Sequence, residues 1–135
     1  MFYCGFSKDF RGQSSTDDVA TKASFFILAF ANILTNRSIE VDNSNFPTNL
    51  QYSWKNTDKK VLLSVGGQNV DWDTAFTNTQ NTNNFINSVV DVVNKYNLDG
   101  VDLNIETYKI PPRTVANMII SLKTKLNNKL LTVAP

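Results

Sequence analysis

"LDGVDLNIE", residues 98 to 106, alternates apolar and polar side chains and stops on a glutamate. Side chains two apart on a strand share a face, so Asp102, Asn104 and Glu106 point one way while Val101, Leu103 and Ile105 point the other. An edge strand with its polar face in water would show the same alternation. The helix-rich surroundings argue instead for a strand inside an α/β fold. There the apolar face meets helices and the polar face looks inward, where an unpartnered charge is kept only when paired, protonated or used.

Working outward, short apolar runs rich in β-branched and aromatic residues recur between longer helical stretches. "MFYCGF" (1–6), "SFFILAF" (24–30), "KVLLSV" (60–65), "GVDLNI" (100–105) and "KLLTVA" (129–134) are the expected strands. The central ones are almost continuously hydrophobic, as parallel strands covered on both faces are. Phe85, Val89, Val92 and Tyr96 repeat at helical spacing, and Asn97 suits a left-handed cap behind them. "PP" at 111–112 suits a helix start, and Val115, Ile119, Leu122 and Leu126 form one apolar stripe beyond it. Weaker helical patterns run from "TNL" to about Asn56 and over 14–22, with Thr16 or Asp17 as cap.

The resulting order, βαβαβαβαβ, permits an open doubly wound sheet or part of an eight-stranded barrel. No composition break divides residues 1–135. The chain closes on "LTVAP" with no helix to cover that strand, so the expectation is an α/β fold comprising roughly the first five strands and four helices of a TIM (β/α)8 barrel, truncated after the fifth strand. In such a barrel Glu106 lies at the C-terminal end of its strand, where barrels place their active sites.

Composition removes most other chemistry. Thirteen Lys and Arg against twelve Asp and Glu give a net charge of +1, so no basic surplus is present to neutralise a phosphate backbone, and nucleic acid is not an expected partner. Without histidine and with one cysteine, the chain has no His-based triad, His-ligated zinc, Cys-His pair or internal disulfide. Cys4 reads as a small buried apolar residue. Acid–base work falls to carboxylates, lysine or tyrosine, and no metal or cofactor is expected. "SVGGQN" has neither a P-loop lysine nor a GxGxxG, which argues against a nucleotide enzyme. No apolar run is long enough to span a membrane, and the first residues lack the pattern of a signal peptide.

"DGVDLNIE" resembles the Asp-Gly-x-Asp-x-Asp-x-Glu signature of family 18 glycoside hydrolases, the chitinases and their endo-β-N-acetylglucosaminidase relatives. "LLSVGG" (62–67) resembles the family's Ser-x-Gly-Gly motif on the preceding strand. "FILAFA" (26–31) and "LTVAP" (131–135) are similar to its second and fifth barrel strands. The four fragments fall in the family's order and cover most of the chain.

The resemblance implies that residues 1–135 are the N-terminal portion of a single catalytic domain that cleaves β-1,4-linked N-acetylglucosamine polymers or the chitobiose core of N-glycans. It makes Glu106 the general acid and the substrate's own 2-acetamido oxygen the nucleophile. The family's middle aspartate, here Asn104, orients the acetamido N–H and stabilises the oxazolinium; Asp102 supports that residue. Ser64 shares a face with Leu62 and Gly66 and can hydrogen-bond the carboxylate cluster. Gly66 and Gly67 let backbone or sugar approach closely. Asp99, out of phase with Asp102, reads as a turn and support residue. Secretion is the family's usual destination, although this start shows no signal.

Three departures follow. Asn104 keeps an acceptor and a donor but not the charge, so oxazolinium stabilisation should weaken, and Glu106 should ionise more readily without a like-charged neighbour. The expectation is a slower enzyme with an acid-shifted profile. Thr107 stands where the family commonly has an aromatic, with Tyr108 next; Tyr108 and Trp72 lie in loops on the presumed active face, where sugar stacking or ordinary packing explains them equally. The family's later tyrosine and tryptophan, from the second half of the barrel, are not in these residues, so the chain alone is expected to be inactive. The competing reading is a chitinase-like lectin that binds chitooligosaccharides without cutting them; the presence of Glu106 favours the enzyme.

Overall fold

The computed structural model describes residues 2–3, 24–41, 58–67, 70–107 and 109–134. Cys4, Tyr108, most of the expected first strand and the weaker helices expected over 14–22 and up to Asn56 lie outside them.

Five parallel strands, β1 (Phe2–Tyr3), β2 (Phe25–Ile33), β4 (Lys60–Gly66), β5 (Gly100–Asn104) and β6 (Leu130–Ala134), lie side by side in chain order. This order has no reversal, so the sheet lacks the switch point of a doubly wound fold and advances one strand at a time as a barrel does. A short strand not expected from the sequence, β3 (Ile39–Glu40), folds back antiparallel onto the end of β2, pairing Ile33 with Ile39. Its two residues are too few to register as a pattern.

Between β4 and β5 lie a one-turn helix, α1 (Trp72–Ala75), and the long α2 (Thr79–Lys95); α3 (Pro112–Leu126) joins β5 to β6. The Asn78 side chain accepts the Asn81 N–H at 2.8 Å to open α2. Asn97 takes the expected left-handed conformation behind it, with φ 50°. The buried face of α2 is Phe85, Ile86, Val89 and Val93, while Val92 and Tyr96 flank it half-buried. The expected stripe is thus rotated by about one position, because both Phe85 and Ile86 enter the core. Pro111 and Pro112 start α3 as expected, and Met118 joins Leu122 and Leu126 on its buried side.

The sheet has two distinct faces. On the helix side Leu28, Leu63, Val101, Val65 and Leu103 are buried against α2 and α3, with Phe85 packed edge to face against Trp72 and Phe76, and the last two tilted against each other, at 5.4–5.8 Å between centroids. The inner face carries the row Ala29, Ser64, Asp102, Thr132, four residues in direct register across β2, β4, β5 and β6. Among the described residues no helix is long and apolar enough to cross a membrane.

Candidate active site

The inner polar row is the floor of the site. Ser64 is fully buried and Asp102 is 3% exposed, a depth at which an ionised carboxylate needs partners. It has them on both oxygens: Ser64 Oγ donates to Oδ2 at 2.8 Å and Thr132 Oγ1 donates to Oδ1 at 2.6 Å. The hydrogen bond expected from Ser64 is therefore present. Thr132 is a site residue that reading along the chain misses, because its place beside Asp102 depends on the register between two strands joined by a whole helix. A hydroxyl inside the apolar run "LLTVA" is the one local signal.

One step nearer the mouth, Asn104 closes β5, and Glu106 follows two residues beyond it. Asn104 Nδ2 donates to Glu106 Oε1 at 2.9 Å. An ionised carboxylate only accepts, so this bond sets which end of the amide faces it. The backbone carbonyl of Asn104 is gripped from the β4 side, accepting from Trp72 Nε1 at 3.1 Å and from the Gly67 N–H at 3.4 Å.

These bonds explain the paired glycines. Gly66 and Gly67 have φ of 118° and 99°, which L residues rarely adopt. A β-carbon on Gly66 would also come within 2.7 Å of the Trp72 ring and collide with the Asn104 carbonyl. Trp72 itself corrects an expectation. It sits in helix α1 rather than a loop and is 1% exposed. Its ring is core and offers no face to a sugar; its contribution is the indole N–H that anchors the end of β5.

An exposed aromatic does stand at the same end of the sheet. Phe30, 38% exposed, sits where the β2–β4 register slips between Ala29 and Ala31, and its ring lies 3.6 Å from where a Gly67 β-carbon would be. Such an irregularity re-aims a side chain, and the run "FILAFA" does not announce it.

Glu106 is exposed and opens onto a cleft of about 180 Å³ whose walls include Asp71, Asp73, Thr107 and Lys109. Thr107 Oγ1 donates to Asp73 Oδ1 at 2.5 Å, and Lys109 Nζ lies 3.0 Å from Asp73 Oδ2. The Thr107 hydroxyl, followed by Lys109, holds the Asp73 carboxyl below the usual carboxylate range. The residue that replaces the expected aromatic thus fastens the loop after Glu106 to α1.

Asp99 is not part of this assembly. It lies at the opposite end of β5, where its Oδ2 accepts the Val61 N–H at 2.8 Å and its Oδ1 is 3.9 Å from Lys60 Nζ. It supports the strand start, not the carboxylate row. Among the described residues no group of three His, Cys, Asp or Glu side chains is placed to hold a metal ion.

The geometry has counterparts in known proteins. A probable class II chitinase of Arthroderma benhamiae is 36% identical over 94 residues, covering 57% of this chain and 27% of that protein. The crystal structure of an Ostrinia furnacalis Group IV chitinase in complex with allosamidin superposes with a TM-score of 0.81 at 21% identity, covering 99% of this chain and 42% of that one. A chitinase-like agglutinin from Robinia pseudoacacia superposes with a TM-score of 0.79 at 18% identity, covering 98% and 44%. The chain therefore spans less than half the length of these proteins, and its fold is that of part of a chitinase barrel. The model of the glycosyl hydrolases family 18 matches residues 1–135, and the chain belongs to that family.

Proposed function

We propose that this chain contributes the catalytic strand of a glycosidase that cleaves β-1,4-linked N-acetylglucosamine polymers with retention of configuration. The observation that carries the reading is the pair Asn104–Glu106: an exposed carboxyl at the C-terminal end of a barrel strand, hydrogen-bonded to an amide on the same face.

In this reading Glu106, protonated, gives its proton to the glycosidic oxygen as the bond from that oxygen to C1 breaks. The acetamido oxygen of the same sugar bonds to C1 and forms an oxazolinium, so no second protein carboxylate attacks. Asn104 orients the acetamido group through its side-chain oxygen, and its amide holds Glu106. Water then adds to C1, a water proton returns to Glu106, and the bond to the acetamido oxygen opens. The remaining barrel strands complete the cleft, so residues 1–135 alone do not turn over substrate.

The second reading is a lectin. It is favoured by one feature, the missing charge at Asn104, and the agglutinin above shares the fold. The deciding experiment uses the complete barrel protein with chitooligosaccharides. The enzyme reading expects hydrolysis that Glu106→Gln lowers by about 10²–10⁴-fold while allosamidin binding persists. Binding without hydrolysis in the unsubstituted protein would establish the lectin.

A further inference from the structure

Asp102 is held on both oxygens by strands other than its own. Ser64 on β4 and Thr132 on β6 are its direct register neighbours, and each donates its hydroxyl proton to it. A hydroxyl has a single proton to give, so both are committed to Asp102, which fits an ionised carboxylate that only accepts. Asn104, the next inward residue on β5, directs its amide to Glu106. An aspartic acid at that position could pass a proton to Asp102, whereas an amide cannot. The lower carboxylate is thus built as a fixed anion rather than a partner in proton exchange.

We propose that Thr132 is a positioning residue for the hydrolysis: with Ser64 it pins Asp102 as a permanent anion that replaces, from the row below, the negative charge Asn104 does not supply. This rests on the glycosidase reading above. Two residues along a strand is about 6.6 Å, close enough for a fixed charge to favour an oxazolinium held above Asn104. Single-point attachment would let the Asp102 carboxylate rotate; hydroxyls on opposite sides hold its plane. Among the described residues, the groups facing it across the sheet are the hydroxyls of Ser64 and Thr132 and, beyond Ser64, Ala29. On its own strand Glu106 lies past Asn104. Lys60 and Asp99 sit at the far ends of their strands.

The test uses the complete barrel protein with Thr132→Val, which keeps the shape and removes the donor, and Thr132→Ser, which keeps the donor. Thr132→Val should lower kcat about tenfold with KM within about twofold, the size expected for losing one hydrogen bond to a charged group. Thr132→Ser should restore kcat.

A second measurement does not need turnover. The NMR signal of the Asp102 side-chain carboxyl carbon at neutral pH should be displaced in Thr132→Val, which removes the hydrogen bond to Oδ1, and should return in Thr132→Ser. An undisplaced carboxyl signal in folded Thr132→Val overturns the proposal, whatever happens to rate. If that signal moves but the unsubstituted protein never cleaves chitooligosaccharide, the pinning stands and the glycosidase reading is the part that fails. If Thr132→Val does not fold, a Thr132→Ser protein whose carboxyl signal and kcat both depart from those of the unsubstituted protein counts against the Thr132 hydroxyl as the donor that matters.

Discussion

Asp99 and Glu106 are carboxylates seven positions apart at opposite ends of one strand, and their surroundings differ in kind. Asp99 is tied down: a backbone N–H from the neighbouring strand ends on one oxygen and the Lys60 ammonium lies near the other. Glu106 has a side-chain amide on one oxygen and a cleft in front of it. The start of a barrel strand is where structure is secured, and the end is where loops open a site. The same functional group is therefore a brace at one end and a candidate acid at the other, and the two ends should respond oppositely to substitution.

The largest expected contrast is between Glu106→Gln and Asp99→Ala. The first should remove hydrolysis, as set out above, while leaving the unfolding free energy within about 0.5 kcal/mol, since the side chain is exposed. The second should leave the catalytic constant of the folded protein unchanged and lower stability by about 1–3 kcal/mol, because the N–H of fully buried Val61 loses its acceptor. Urea titrations beside rates on the same preparations separate the two. A large stability loss in Glu106→Gln would break the comparison.

Asn104→Asp is the next in size. At 2.9 Å from Glu106 Oε1, a carboxyl at this position would have to share a proton with Glu106. More of the Glu106 acid form should survive toward neutral pH, and the oxazolinium should gain a nearby charge. Turnover should rise on the order of tenfold, with the optimum moving to less acid pH. An unchanged rate and profile would show that Asn104 is not what limits this site.

Much of this contrast is legible in the chain itself, and the part that is not has a physical reason. Alternation from Val101 to Glu106 assigns faces because a strand has a period of two, a purely local property. The left-handed Asn97 and the proline start of α3 are equally local. Thr132 is different: its partner lies across a register set by a helix, two loops and the packing of Met118, Leu122 and Leu126. Trp72 misleads for a related reason. The polar residues around it suggest a loop, yet its indole N–H finds the Asn104 carbonyl 32 residues onward, and only the tertiary fold supplies that acceptor. The exposure of Phe30 depends on a slip in strand pairing that "FILAFA" does not encode.

The smallest effect concerns what holds the Glu106 end in place. Asp73 receives the Thr107 hydroxyl and the Lys109 ammonium, and its carboxyl is held below the usual range, first by Thr107 and then by Lys109. A carboxylate depressed on folding contributes stability that is complete above the unfolded-state value of 3.8 and is lost as pH falls through the lower folded value. Asp73→Asn should therefore lower Tm slightly at neutral pH, and the gap from the unsubstituted protein should close in strong acid. Asp99 supplies the control: Asp99→Ala should keep part of its Tm deficit in strong acid, because a protonated carboxyl still offers Val61 an oxygen that alanine lacks. If the Asp73→Asn gap stayed constant down to strong acid, the Thr107–Asp73–Lys109 contact would be packing rather than charge, and the two ends of β5 would be less different than their partners imply.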